Sequence, residues 1–237
     1  MPDVRPRLLL LFDIDGTLLW RASEAHAEAL HRALREVHGV DTVAVSAPVS
    51  PAGRTDGEIA RLLLLDAGIS AARIDARADA VQEACCRAYS RLCPPDLSHT
   101  VLDGVPALLQ WLGGRDDVVL SLLTGNYEAV ARLKLARAGI GRHFPSGLGA
   151  FGSDSEDRAA LPGIARRRAG AGGVAHAREY ALVIGDTPRD IACARADGVR
   201  CLAVASGPYA AGELTGADEV VSDAAGLRKA LARMLEG

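Results

Sequence analysis

The chain has almost no lysine. Of its 27 basic residues only Lys134 and Lys229 are lysine, and the rest are arginine. It has no excess of positive charge either, since the formal balance is −3. Without a broad basic field, neither nucleic acid nor an anionic membrane is expected as the main partner. The apolar run Leu8–Phe12 is too short for a signal sequence or a membrane span, and the chain reads as a soluble, cytoplasmic protein. Its five cysteines (Cys85, Cys86, Cys93, Cys193, Cys201) have neither C-x-x-C spacing nor an even count, so they read as ordinary reduced thiols. The histidines lack metal-ligand spacing of the HExxH kind and read as structural or surface residues. Gly and Pro are scattered, with no repeat and no low-complexity tract, which argues against extensive disorder.

What is present is apolar: 49% of the 237 residues are hydrophobic, enough for a large core or for a core with a smaller companion. Leu8–Phe12 is wholly apolar and stops at Asp13. Val118–Leu123 does the same and stops at Thr124-Gly125-Asn126, and Ala181–Ile184 stops at Gly185-Asp186. Such runs read as strands buried on both faces, as in a parallel sheet. Val199–Val204 reads as a further strand and Glu219–Val221 as a weak one. Helical patterns at Val105–Leu112, Tyr127–Ala138 and Pro188–Ala196 separate them, two of these ending near Gly139 and Gly198. Strands alternating with helices imply an α/β core with a mostly parallel sheet, whose ligands gather at the carboxyl ends of the strands. From Arg21 to Leu97 the alternation stops, and Ala22–Val37, Asp56–Ala67 and Asp75–Leu92 all read as helices. The chain is therefore read as a core of residues 1–20 and 98–237 with a helical insertion, 21–97. Its two crossings, near 18–21 and 96–101, are expected to act as hinges. Arg166–Arg168 and Gly170–Gly173 read as a helix end and its loop.

Asp13-Ile14-Asp15-Gly16-Thr17 sets two carboxylates directly behind a buried strand, which is costly unless a cation or a proton compensates. The bland alternative is a turn whose Asp residues cap a helix. Asp186 supplies a third carboxylate at another strand end, and oxygen ligands of this kind suit magnesium when phosphate completes its shell. Asp190 fits either a position close to the metal or a helix cap, because Thr187-Pro188-Arg189-Asp190 has the form of a helix start. Thr124-Gly125-Asn126 offers a hydroxyl and backbone N–H groups at a helix N-terminus, a cradle for phosphate, though the same tripeptide is also an ordinary turn.

The segments FDIDGTLL, LLTGN and VIGDTPRDI, in that order, resemble the haloacid dehalogenase superfamily of phosphohydrolases and phosphotransferases over nearly the whole chain. The insertion resembles that family's helical cap, and the nearest branch looks like phosphoglycolate-phosphatase-like enzymes. The resemblance implies a doubly wound, Rossmann-like core and a Mg2+-dependent phosphatase acting on a small phosphorylated metabolite, as a monomer or homodimer. It implies Asp13 as the nucleophile that becomes an aspartyl-phosphate and Asp15 as general acid and base. It also implies magnesium held by Asp13, the Asp15 carbonyl and Asp186, with Asp190 nearby. Thr124, with Gly16, Thr17, Gly125 and Asn126, would hold the phosphoryl oxygens. The family's third motif is a cation, usually Lys, and here no Lys lies between Lys134 and Asp186. Arg158 and Lys134 compete for that part, Arg158 being favoured for its bidentate fork. The other then reads as a solvated helix residue. Arg54, in Gly53-Arg54-Thr55-Asp56, reads either as a cap residue reaching the core site or as part of a helix start.

Related chemistries are weighed on single residues. A carbon–halogen hydrolase of this superfamily lacks the second Asp, which is present here as Asp15. A phosphonate hydrolase needs a cap lysine, and none lies between residues 21 and 97. A sugar phosphomutase shares the core residues and stays open as an alternative, and so does a non-catalytic phospho-ligand binder, although the latter has no need of Asp13, Asp15 and Asp186 together. A dinucleotide-binding enzyme is discounted, since no GxGxxG follows the first strand. Trp20 stands where relatives of the phosphoglycolate type often carry a small acidic residue, a departure that bears on the substrate.

Overall fold

The computed structural model describes residues 7–42 and 49–236. The expected spans 1–20, 21–97 and 98–237 thus fall partly outside it, at 1–6, 43–48 and 237. Six parallel strands run in the order β3-β2-β1-β4-β5-β6: β1 (Leu8–Phe12), β2 (Val118–Thr124), β3 (Ala150–Phe151), β4 (Ala181–Gly185), β5 (Arg200–Val204) and β6 (Glu219–Val221). Leu8, Leu10 and Phe12 of β1 face one apolar layer while Leu9 and Leu11 face another. That two-sided burial is why the strand is apolar throughout, each side chain contributing roughly 1.5–3 kcal/mol when fully buried.

Helices cover both faces of the sheet. On one side lie α5 (Val105–Gly113), α6 (Glu128–Arg137) and α9 (Ala224–Glu236), which send Leu108, Leu135 and Leu231 into the first layer. On the other lie α7 (Leu161–Ala169) and α8 (Pro188–Asp197), with Leu161, Ala165, Ile191 and Ala194. The sequence reading had the strands and α5, α6 and α8 within one or two residues. It did not single out the two-residue β3 or α9, and it saw only the end of α7.

The insertion carries α1 (Glu24–His38), α2 (Asp56–Asp66), α3 (Ala71–Asp75) and α4 (Ala78–Leu92). The helix expected over Asp75–Leu92 is α4, which starts only at Ala78 behind Arg77, its N-cap in a non-helical conformation, while Asp75 ends the separate α3. Leu34, Leu64, Ala84 and Cys85 make a core of their own, which Tyr127 and Val130 at the start of α6 close from below. The two crossings pair with each other. The Trp20 N–H donates to the Thr100 carbonyl at 2.7 Å and that of Leu102 to Leu18 at 3.0 Å, and Arg21 takes a φ of 57°, a conformation unusual outside glycine.

The insertion is docked on the core through the start of α2. Thr55 is the N-cap of α2, accepting from the Glu58 N–H, and its hydroxyl donates to the Glu156 carbonyl at 2.7 Å. The Asp56 N–H donates to the Gly125 carbonyl at 2.8 Å, and the Asp56 carboxylate accepts from the Tyr127 N–H at 2.7 Å and pairs with His26 at 3.0 Å. Gly125 makes this contact possible, because a Cβ there would lie 2.0 Å from the Arg54 carbonyl oxygen. Replacing Asp56 by Ala strips the buried Tyr127 N–H and His26 of their partner. Chemical denaturation should register a loss of roughly 1–3 kcal/mol, whereas unchanged stability would contradict this docking.

Candidate active site

The sheet order reverses beside β1, and the crevice beyond the carboxyl ends of the strands opens there. Asp13 follows β1, Thr124 ends β2 and Asp186 follows β4, so three separate runs deliver their polar residues to one place. The Asp13 N–H donates to the Ile184 carbonyl at 2.9 Å, joining the end of β1 to β4 just ahead of Asp186. Asp13, Asp186 and Asp190 are buried, and each can offer an oxygen within 4.8 Å of the others. The close approach depends on glycine. Gly16 has φ +92°, and a Cβ there would sit 2.1 Å from the Asp186 Oδ2. Gly207, after β5, would meet the same oxygen at 1.7 Å.

Asp190 does two things at once. Its Oδ2 accepts from the Thr187 N–H at 3.0 Å and from the Thr187 hydroxyl at 2.7 Å, forming a capping box that starts α8 behind Pro188. Its Oδ1 accepts from Arg158 at 2.5 Å, and the same arginine nitrogen donates to Asp13 at 3.1 Å. Arg158 reaches the site from the turn before α7 and is buried, with its Nε left without a partner. Lys134 arrives from α6, wholly buried. Its Nζ donates to both oxygens of Asp15, at 2.9 and 2.8 Å, and to Asn126 at 3.0 Å. Neither cation is the solvated helix residue that one of them was expected to be. Each side of the carboxylate cluster has its own cation, because each has its own acid to compensate.

The remaining expected residues meet here in different ways. The Thr17 hydroxyl donates to Asp186 at 3.1 Å, and the Asn126 amide donates to Asp15 at 2.9 Å and to Thr124 at 2.8 Å. Both therefore direct their side-chain donors at site residues. The Gly16 N–H is bonded to the Leu19 carbonyl, so this residue serves by its lack of a side chain. Thr124 accepts in its bonds with Asn126, which leaves its O–H able to donate to a ligand. Arg54 lines the cavity above the site, its guanidinium held by Glu58 and by the Ser50 carbonyl. Ser206 escaped the sequence reading. Its hydroxyl donates to the Gly16 carbonyl at 2.7 Å, and the signal was the polar Ser206-Gly207 that follows the β5 run, a fourth strand end of the same kind.

Burial raises the Asp13 carboxyl to about 7, with Arg158 opposing the rise and Asp190 adding to it. Asp186 is pushed up to about 8 by burial and by the Asp13 and Asp190 charges. Asp15 goes the other way: burial would raise it, and the Lys134 ammonium outweighs that effect and holds it ionised. Four carboxylates (Asp13, Asp15, Asp186, Asp190) thus face two cations (Arg158, Lys134). The Asp186 Oδ2 is buried with no donor. A site short of two positive charges and holding an unpartnered carboxylate oxygen fits a hard divalent cation with oxygen ligands.

The whole-chain comparisons agree with this geometry. The model of the haloacid dehalogenase-like hydrolase family matches residues 10–195. Among solved structures, a hydrolase from Pseudomonas syringae aligns with a TM-score of 0.61 at 21% identity, over 96% of this chain and 99% of that one. CbbY from Rhodobacter sphaeroides, in complex with phosphate, gives 0.63 at 19% identity over 93% and 96%. A predicted phosphatase from Clostridium acetobutylicum gives 0.64 at 16% over 96% and 99%. No curated protein matches the chain in sequence. The chain belongs to the haloacid dehalogenase-like hydrolases and is a hydrolase built on their fold.

A carboxyl whose pKa is raised on folding stabilises the protein when protonated, and that contribution fades as pH climbs from the unfolded value of 3.8 through about 7 and 8. The metal-free protein should therefore lose stability over this range. Magnesium should raise Tm more at about pH 8.5 than at about pH 5.5, since it competes with the protons. Equal shifts at both pH values in thermal melts would contradict the assignment of the cation to these carboxylates.

Proposed function

We propose that the chain is a magnesium-dependent phosphatase that hydrolyses a small phosphorylated metabolite through an aspartyl-phosphate on Asp13. One observation carries this reading: the same buried site holds an unpartnered acceptor, the Asp186 Oδ2, and an unpartnered donor, the Arg158 Nε. The first suits a cation and the second a phosphoryl oxygen. In this reading residues 21–97 act as a cap domain over a core of residues 1–20 and 98–237, and closure excludes water from the reaction.

Arg158 and the backbone bond to Ile184 orient Asp13, whose free oxygen attacks phosphorus while the bond to the ester oxygen breaks. The departing alkoxide takes a proton from Asp15, which must first leave its ion pair with Lys134 to carry one. In the second half, Asp15 returns to the ionised form that Lys134 favours and accepts the proton of the attacking water. Water adds to phosphorus, the Asp13–phosphorus bond breaks, and inorganic phosphate leaves. Thr124 and the Gly125 N–H supply donors to the phosphoryl oxygens, while Thr17 and Asn126 orient Asp186 and Asp15. Magnesium, held by Asp13, the Asp15 carbonyl and Asp186 with Asp190 behind them, would neutralise charge between nucleophile and phosphate.

The Asp13→Asn enzyme should lose more than about a thousandfold in kcat on any ester that the wild type hydrolyses in magnesium, and chelator should silence the wild type. Phosphate release, followed colorimetrically, separates this outcome from transfer between two sugar hydroxyls, which releases none. An Asp13→Asn enzyme that keeps its activity would remove Asp13 from the chemistry.

A further inference from the structure

The cavity over Asp13 is far larger than a phosphoryl group requires. Its volume is about 700 Å3, and it runs from Asp13, Thr124 and Arg158 up into the inserted helices. Cavities of this size hold whole cofactors or drug-sized ligands. The upper wall is apolar: Leu30, Val49, Pro51, Ile59 and Leu63 line it, and Trp20 stands at the crossing into the insertion with 39% of its surface exposed.

Most polar groups of that wall are already engaged within the protein, the exceptions including Arg21, which is exposed at the crossing beside Trp20. His26 pairs with Asp56, and Asp56 also holds the Tyr127 N–H. His31 bonds the Thr42 hydroxyl at 2.7 Å, and Arg54 is tied to Glu58 and to the Ser50 carbonyl. Arg189 also lies against Glu58, at 3.5 Å, so two guanidinium groups share that carboxylate. The unpartnered buried side-chain atoms that face the cavity lie at its floor, on Asp186 and Arg158. Away from Arg21, a carboxylate or a ring of hydroxyls carried up between the inserted helices would lose its water and find most protein partners taken, which opposes binding. An apolar group would lose only unfavourable hydration there and could pack against the Trp20 ring.

We infer that the substrate is a phosphate monoester of an alcohol bearing a bulky apolar or aromatic group, which fills the upper chamber between Trp20, Leu30, Ile59 and Leu63. The inference rests on the phosphatase reading and names the class of alcohol that leaves. The phosphoryl end sits at Asp13 and the hydrocarbon end under α1 and α2. Small hydroxyacid or sugar phosphates reach the floor but leave the apolar wall unoccupied.

Steady-state kinetics on phenylethyl phosphate, phosphoglycolate and glucose phosphorylated on its primary hydroxyl test this directly. All three leave as alkoxides, so intrinsic reactivity does not set the ranking. The wild type with magnesium should show a KM for phenylethyl phosphate at least about tenfold below the other two, the gain expected from burying a few methylene equivalents. Trp20→Ala, at a half-exposed position, should raise that KM several-fold with kcat little changed. Equal or better use of phosphoglycolate or of the sugar phosphate overturns the inference and leaves the phosphatase reading standing. A Trp20→Ala enzyme with unchanged KM overturns it as well. Failure to hydrolyse any of the three would overturn both.

Discussion

The arrangement depends on one electrostatic constraint: four aspartates and two cations share one crevice, and all of them but Asp15 are buried. Burying carboxylates without compensation costs several kcal/mol each, and every feature around the site answers that cost. Arg158 spans Asp13 and Asp190, Lys134 spans both oxygens of Asp15, and Thr17 supports Asp186. Two negative charges are left over, together with one orphan oxygen on Asp186. The raised pKa values of Asp13 and Asp186 express the same shortfall. Protons or a bound cation can meet such a deficit, and this is the link between the buried charge and the proposed chemistry.

The fold serves that constraint by bringing strand ends together rather than by local sequence. Asp13, Thr124, Asp186 and Ser206 each follow an apolar strand, and the parallel sheet aligns those ends within one crevice. The glycines at 16 and 207 let the backbone come within contact distance of Asp186, where any side chain would collide. Gly125 does the same for the inserted helices, letting the start of α2 rest on the end of β2. The inserted helices, whose residues line the cavity above the site, are thereby anchored to the strand end that carries Thr124.

Most of this was legible in the sequence because fully buried strands leave an unusual trace. A run such as Leu8–Phe12, apolar on both faces and ending abruptly in Asp, has few explanations other than a central parallel strand with a site at its end. What was not legible follows from the same logic. β3 has two residues and so no pattern, and α3, with five, is too short to show one, so the helix of α4 was started at the last residue of α3. Asp190 was left between cap and cluster, and the fold has it in both places, since a capping carboxylate has two oxygens and the capping box uses one. Lys134 looked as though it could be solvated because lysines usually are. It lies between Val130, Ala131 and Leu135 on the buried stripe of α6, a signal that helical spacing did contain. The partnership of His26 with Asp56 could not have been found, because it joins α1 and α2 by tertiary contact alone.

The central claim is a covalent one, that the phosphoryl group passes through the carboxylate of Asp13. The most direct measurement is to quench the enzyme in acid during turnover, reduce it with borohydride, and locate the modified residue by peptide mass spectrometry. Reduction converts an acyl phosphate to the alcohol, and the account predicts that conversion at Asp13 alone and only when both substrate and magnesium are present. Turnover with an unmodified Asp13, or with the modification on Asp15 or Asp186, would contradict it.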